Sequence, residues 1–227
     1  MRHNKQDYFL TIWELIEAFG YASEKTVSKR MGISLPSVWE EIHKLERERL
    51  IRLGRHGIEF TSFGLDAAKR VVRAHRITEY FVYAYLEVPW DEVHRSVMDL
   101  EHDFTDNLLE NLYRKMGSPK FCPHGNPIAP ETKLYEITAS ESADGRYYFL
   151  RTAFEDYDFL RKLLNGGALP GAVVKLEREE SGVHLVGENG ETFIPKDYER
   201  SVRLADRPTR TIGYVNPGRG LEERGNF

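Results

Sequence analysis

Residues 33–64 read ISLPSVWEEIHKLERERLIRLGRHGIEFTSFG, and two periodicities follow one another within them. Val38, Ile42 and Leu45 recur at helical spacing behind Ser34 as N-cap and Pro36 in the first turn. From Leu50 the pattern changes to alternation of apolar and polar residues around a Gly54–Gly57 tip, which predicts a hairpin. Toward the N-terminus, SEKTVSKRMG (23–32) is a short helix with Ser23 as N-cap and Gly32 as terminator. Before it, QDYFLTIWELIEAFGY (6–21) spaces Phe9, Ile12, Trp13, Ile16 and Phe19 as an amphipathic helix stopped by Gly20. Helix, helix, turn, helix, hairpin is the order of a winged helix-turn-helix domain, here residues 1–74. Its third helix, from about Leu35 to Glu48, is the candidate recognition helix.

Beyond the hairpin a long helix is expected from Thr61 to about Leu86, broken by Pro89. PWDEVHRSVMDLEHDF (89–104) then reads as a second helix starting near Trp90 or Asp91. TDNLLENLYRKMG (105–117) reads as a third, with an apolar stripe at Leu108, Leu109 and Leu112. With the aromatics Tyr80, Phe81, Tyr83 and Tyr85, residues 75–131 look like a helical dimerisation domain. SPKFCPHGNPIAP (118–130), with four prolines, is a loop and a domain junction.

After residue 132 the texture changes to strands: KLYEIT, RYYFLRT, AVVKLERE, GVHLVGE and ETFIP, with one short helix in DYDFLRKLLNGG. That is a small β-barrel pattern over residues 132–206. Residues 207–227 carry too little apolar content to pack and are expected to be a mobile tail. The fold class is multidomain, mainly α with a small β part.

The chain has 227 residues, of which 41% are hydrophobic and 12% aromatic, enough for two or three packed domains. No apolar run approaches the roughly 18 residues a bilayer span needs, and MRHNKQDYF lacks a signal-peptide apolar segment, so no membrane partner is expected. Cys122 is the sole cysteine, which rules out an internal disulfide and suits a cytoplasmic location. The net charge of −4 conceals an asymmetry. Residues 1–76 hold 14 Lys+Arg against 10 Asp+Glu, whereas residues 77–132 hold 4 against 10. A basic first third and an acidic middle third suggest separate duties toward phosphate and toward cations.

The stretch HRSVMDLEHDF (94–104) bears on the second duty. On a helix turning about 100° per residue, His94, Met98, Glu101 and His102 share one stripe. His94 and His102 are about 12 Å apart along such a helix, too far for one ion with bonds of roughly 2.0–2.5 Å. The stripe therefore means two sites or none. Met98, Glu101 and His102 cluster at one end. His94 needs other donors, and His75 and Glu79 stand one turn apart on the preceding helix.

Those residues carry a resemblance. HRITEYF, then DEVHRSVMDLEHDFTDNL, after the turn ISLPSVWEEI and before SPKFCPHGNPI, is similar to the diphtheria-toxin-repressor family of iron- and manganese-dependent transcriptional regulators. DYDFLRKLLNGGALPGAVVKLE resembles the SH3-like domain shared with ferrous-transport accessory proteins. The resemblance implies a winged helix-turn-helix, a helical dimerisation domain and a C-terminal SH3-like β-barrel. It implies a non-enzymatic homodimer that binds double-stranded operator DNA when loaded with Fe(II) or Mn(II), two ions per subunit. A primary site of Asp7, Met98, Glu101 and His102 and an ancillary site of His75, Glu79 and His94 are implied with it.

In relatives the SH3-like domain adds an acidic residue and a Gln to the ancillary site. Here Asp156 falls at the acidic position and Phe159 where Gln would be, with Glu155 and Asp158 as alternative donors. The pairing of Asp7 with Met98 departs from both subgroups, since iron-type relatives pair Met with Cys and manganese-type relatives Asp with Glu. A hard carboxylate suits Mn(II) and a soft thioether disfavours it, so the set leans slightly to Fe(II). Zn, Co or Ni are expected to substitute in vitro, following the Irving–Williams order.

By the same resemblance Ser34, Pro36, Ser37 and Glu40 face the major groove. Lys44, Arg55 and His56 are phosphate-contact candidates. Trp39 either stacks on sugar or packs on a neighbouring helix. Cys122 and His124 form a potential small metal site, though the surrounding prolines and glycine favour a rigid loop. Two other classes stay in view: a winged-helix regulator with Tyr80, Tyr83 and Tyr85 lining a small-molecule pocket, and a metallohydrolase. The second lacks HExxH, a nucleophile–base pair and a phosphate-cradling loop.

Overall fold

Side-chain caps and left-handed glycines set the first three helices. In the computed structural model, which describes residues 4–98, 100–188 and 190–207 and the backbone alone of Glu101 and His102, α1 spans Lys5–Phe19. It opens on a capping box between Asn4 and Asp7 and closes at Gly20 with φ +82°. The helix α2, Glu24–Met31, starts from Ser23 and ends at Gly32 with φ +67°. The helix α3, Leu35–Arg47, starts from Ser34 with Pro36 in its first turn. Ile51–Gly54 (β1) and Gly57–Phe60 (β2) pair as an antiparallel hairpin with Ile51 opposite Phe60.

Phe9, Ile12, Val27, Val38, Ile42, Leu45, Ile51 and Ile58 form one buried core, so the winged helix-turn-helix order holds. Gly57 is irreplaceable in this packing. Its φ is +106°, and a Cβ there would lie 2.1 Å from the carbonyl oxygen of Ala22, which accepts from the amide of Ile58.

The chain divides into two compact units, residues 1–73 and 74–227. The helix α4, Ser62–Leu86, runs through the division, and its second part carries two buried faces. Ile77 packs with Leu109 and Met116 of the later helix α6 (Asp106–Lys115 and its C-cap) and with Ile128. On the opposite side lie His75 and Glu79, also buried. Of the stripe expected on α6, Leu109 is buried and Leu112 packs against that core, but Leu108 is 52% exposed. The difference follows from helix geometry: Leu109, Leu112 and Met116 lie within about 60° of one another, and Leu108 falls beyond the edge of that face, about 100° from Leu109.

The continuous helix expected over 89–104 is not present. After Glu92 comes a short α5, Val93–Val97, and then a 3₁₀ segment, Leu100–Asp103. Glu92 supplies no side-chain cap, and Asp and His are poor helix formers. The apolar residues Val93, Val97, Leu100 and Phe104 keep helical spacing across the segment, yet the α-helix stops at Val97 all the same.

The strand-rich part of the second unit is a six-stranded antiparallel sheet in the order β3-β8-β4-β5-β6-β7. Its strands are Ile137–Thr138 (β3), Gly145–Thr152 (β4), Val173–Glu179 (β5), Gly182–Val186 (β6), Glu191–Pro195 (β7) and Val202–Ala205 (β8). Helix α7, Tyr157–Asn165, follows β4. The strand expected over KLYEIT shrinks to two residues, and β8 was not anticipated. The anticipated tail beyond Arg207 lies outside the described residues. No described helix is long and apolar enough to cross a membrane.

Candidate metal centre

The polar face of α4 looks onto three other segments of the second unit. His75 and Glu79 are 2% and 0% exposed, and His94 of α5 is 8% exposed. His75 Nε2 lies 3.1 Å from His94 Nδ1 and 3.2 Å from Glu79 Oε1. The fourth member is Glu155, between β4 and α7, whose Oε2 is 2.9 Å from His94 Nδ1 and 3.8 Å from His75 Nε2. The donor atoms of His75, Glu79, His94 and Glu155 all lie within 4.8 Å of one another.

Asp156 is not part of this group. It is the N-cap of α7, and its Oδ1 accepts from the amides of Asp158 and Phe159 at 3.1 and 3.2 Å. A cap must turn its carboxylate along the helix axis, which leaves the preceding residue, Glu155, to point inward. Phe159 stacks in an aromatic cluster with Phe154 and Tyr198, and Asp158 is exposed.

The loop FCPHGNPI supplies a second group. Cys122, His124, Glu79 and Glu155 again bring four donor atoms within 4.8 Å. Gly125, φ +85°, lets the loop lie against β4, where a Cβ would meet the Leu150 carbonyl oxygen at 2.2 Å. His124 Nε2 donates to the Trp90 carbonyl at 3.0 Å, since a carbonyl can only accept. Trp90 Nε1 donates in return to the Pro123 carbonyl at 2.8 Å. The carbonyl of Trp90 thereby fixes the ring, and Nδ1 of His124 faces Glu79 Oε1 at 3.2 Å and Glu155 Oε1 at 3.5 Å. The loop is rigid, as its prolines suggest, but its rigidity serves to aim the two side chains at α4.

Glu155 is itself steered. Asn126 donates to its Oε1 at 2.5 Å and to the Thr152 carbonyl at 2.8 Å, while Arg151 donates to Asn126 Oδ1 at 2.7 Å. Arg151 is held by Glu136 at 2.7–2.8 Å. A chain of charge-assisted hydrogen bonds thus runs from the sheet to the cluster.

Burial and Glu155 both oppose ionisation of Glu79, but His75 and His124 hold its carboxyl well below the ordinary range. Burial likewise opposes ionisation of Glu155, and His124 outweighs it. Burial alone would lower the pKa of His124; Glu155 and Glu79 raise it well above the ordinary value. The pKa of His94 is raised as well, burial being outweighed by Glu155 and Glu79. Burial, reinforced by Glu79, pushes the Cys122 thiol up to about 12. Both carboxylate oxygens of Glu79 and Nδ1 of His124 are buried with no hydrogen bond of ordinary geometry. Leaving a buried carboxylate so poorly satisfied is costly. A divalent cation is the species that satisfies these atoms at once, so the residues present fit a metal ion.

The implied primary set is divided between the units. Asp7 is buried at the start of α1, where its Oδ2 accepts from the Asn4 amide at 2.8 Å. Met98 is half-buried at the end of α5, and the side chains of Glu101 and His102 lie outside the described residues.

In the first unit Ser34, Pro36, Ser37, Glu40, Lys44, Arg55 and His56 are all exposed. Ser34 also caps α3 by accepting from Ser37, and Lys44 pairs with Glu41 at 3.1 Å. Trp39 is 52% exposed and lies on His43 of its own helix with ring centroids 4.2 Å apart. Tyr83 is buried and Tyr85 exposed, so the aromatics proposed to line an organic-ligand pocket do not share one environment.

Two family models match the chain and together cover more than half of it. The iron-dependent repressor N-terminal DNA-binding domain matches residues 1–54, and the iron-dependent repressor metal-binding and dimerisation domain matches residues 61–130. The chain belongs to the iron-dependent repressor family, that of the diphtheria toxin repressor. Among curated members of this family, the iron-dependent repressor IdeR of Mycobacterium leprae is 25% identical over 217 residues, covering 87% of this chain and 94% of its own. The diphtheria toxin repressor of Corynebacterium jeikeium is 23% identical over 226 residues, covering 87% and 94%. Among solved structures of the family, T. acidophilum IdeR aligns with a TM-score of 0.81 and 26% identity over 90% of this chain and 99% of its own. The three-part architecture of winged helix-turn-helix, helical dimerisation domain and C-terminal SH3-like domain is therefore that of the family.

Proposed function

We propose that this protein is a metal-activated transcriptional repressor that binds operator DNA as a homodimer and controls genes of metal uptake and homeostasis. The observation that carries the reading is the buried cluster around Glu79, an acidic, histidine-rich donor set of which all but Glu155 lies on the segment that matches the family's metal-binding domain. His75, Glu79, His94 and Glu155 would hold one ion through two imidazoles and two carboxylates. That donor chemistry suits Fe(II) and Mn(II), with Zn, Co and Ni binding in vitro by intrinsic affinity. The ion supplies positive charge that the two buried carboxylates otherwise draw from histidine protons.

The chain's own residues do the rest. His75 and Glu79 belong to the helix that continues from the DNA-binding segment, His94 to α5, and Glu155 to the SH3-like part. An ion shared among them favours one arrangement of these segments over others, and by linkage operator DNA must tighten metal binding in return. On the DNA side, the resemblance would have Ser34, Pro36, Ser37 and Glu40 read base edges and Lys44, Arg55 and His56 contact phosphate, and all seven are exposed. The resemblance adds the primary set of Asp7, Met98, Glu101 and His102.

The test is a DNA-binding titration with anaerobic Fe(II) and with Mn(II), run beside operator selection and a chelator control. Metal-dependent retardation that chelator abolishes is the expected result. Equal operator affinity with and without metal would overturn the reading.

A further inference from the structure

The two donor groups meet at a pair of shared carboxylates. We propose that the cluster is a dinuclear centre, in which Glu79 and Glu155 bridge two divalent ions held at the same time. One ion takes His75 and His94 as its remaining ligands, and the other takes Cys122 and His124. The proposal rests on the metal-activated reading above and deepens it.

Three features of the geometry point to two ions. First, Glu155 divides its oxygens: Oε2 is the atom near His94 and His75, whereas Oε1 is the one 3.5 Å from His124 Nδ1. A carboxylate serving one ion would turn both oxygens, or one, to a single side. Second, Glu79 Oε1 sits between the groups, 3.2 Å from both His75 Nε2 and His124 Nδ1, and neither of its oxygens is engaged by an ordinary hydrogen bond. Third, the six donors fall into two four-membered groups rather than one, each within 4.8 Å. That spread matches ligands around one ion with bonds of about 2.0–2.5 Å, and two such shells sharing two carboxylates place the ions roughly 3.5–4 Å apart.

Charge supports the count. Two carboxylates neutralise one dication, and a second dication is offset in part by Cys122, which must ligate as thiolate and lose its proton to solvent. The two positions also differ in softness. The bis-imidazole side suits Fe(II) or Mn(II), and the thiolate side is the softer.

The experiment uses the full chain carrying Glu101→Ala and His102→Ala, which removes donors of the implied primary set, loaded with Mn(II) alone. The expected result is two bound Mn(II) per chain at saturation, the one on the thiolate side held more weakly, and a spin-coupled electron paramagnetic resonance signal with hyperfine lines at about half the spacing of an isolated ion. Adding Cys122→Ser with His124→Ala, or His75→Ala with His94→Ala, should each reduce the count to one and abolish the coupling. The coupled signal is read on an intact cluster, so the proposal stays testable if either double variant fails to fold. One Mn(II) per chain, or two without coupling, overturns the bridged pair while leaving metal-dependent operator binding by the unsubstituted chain in place. No Mn(II) at all in the cluster likewise overturns the pair, whereas the metal-activated reading itself falls only if the unsubstituted chain binds its operator equally with and without metal.

Discussion

Asn126 touches no predicted ion, yet its replacement by alanine should weaken metal binding measurably. Its side chain is 1% exposed and makes three hydrogen bonds, to Glu155 Oε1, the Thr152 carbonyl and, as acceptor, Arg151. Two of these involve charged groups, each worth about 1.5–3 kcal/mol. Arg151 keeps its pair with Glu136, so part of the loss is recovered. The net cost to the metal-free protein should be about 2–4 kcal/mol. For a protein of this size that lowers the melting temperature by roughly 10 °C. Metal binding should suffer in addition, because Glu155 loses the donor that orients it; such outer-shell changes typically reduce affinity about 10–100-fold. Calorimetric melting of metal-free protein and isothermal titration with Mn(II) separate the two effects. An Asn126→Ala protein that melts lower but binds Mn(II) as tightly as before would refute the claim that Asn126 presents Glu155 to the ion.

Asp156→Ala should cost about 1 kcal/mol of stability by uncapping α7 and leave the Mn(II) dissociation constant unchanged, whereas Glu155→Ala should remove a donor from both groups and lose binding in the same titration. Equal damage to binding from the two variants would return Asp156 to the ligand set. Metal binding should also release protons near pH 7. His124 and His94 have raised pKa values in the metal-free protein and the Cys122 thiol is protonated, so the metal-free state binds more protons than the loaded one. Affinity should therefore climb as pH rises through the neutral range, and the binding heat at pH 7 should vary with the ionisation enthalpy of the buffer in the sense of release; uptake, or no exchange, would contradict it.

Much of this was legible in the chain because it is local. The winged helix follows from caps, glycines and a change of period between Leu45 and Leu50. His75 and Glu79 follow from one helical turn, and the prolines and glycine in and around FCPHGNPI predict a rigid loop. What stayed hidden depends on partners distant in sequence. Cys122 and His124 reach Glu79 only because Trp90 and β4 clamp the loop in place, and no spacing rule encodes that. The choice between Glu155 and Asp156 turns on which of two neighbours caps a helix, a competition that residue type alone does not settle. The break after Val97 leaves no mark in the spacing, because Val93, Val97, Leu100 and Phe104 keep a helical period across it. Strand β8 pairs with both β3 and β4, and its brief SVRLA pattern is too short to signal a strand without them.

The dispersal of the donors has a consequence for biosynthesis. His75 and Glu79 leave the ribosome long before Glu155, and in between come α5, α6, the proline-rich loop and two strands. By the time translation reaches β4 the growing chain already carries five of the six donors, His75, Glu79, His94, Cys122 and His124. Glu155 is the last to emerge, and it is the second of the two carboxylates that belong to both groups. The two groups are therefore tied together at both carboxylates only after synthesis has passed β4.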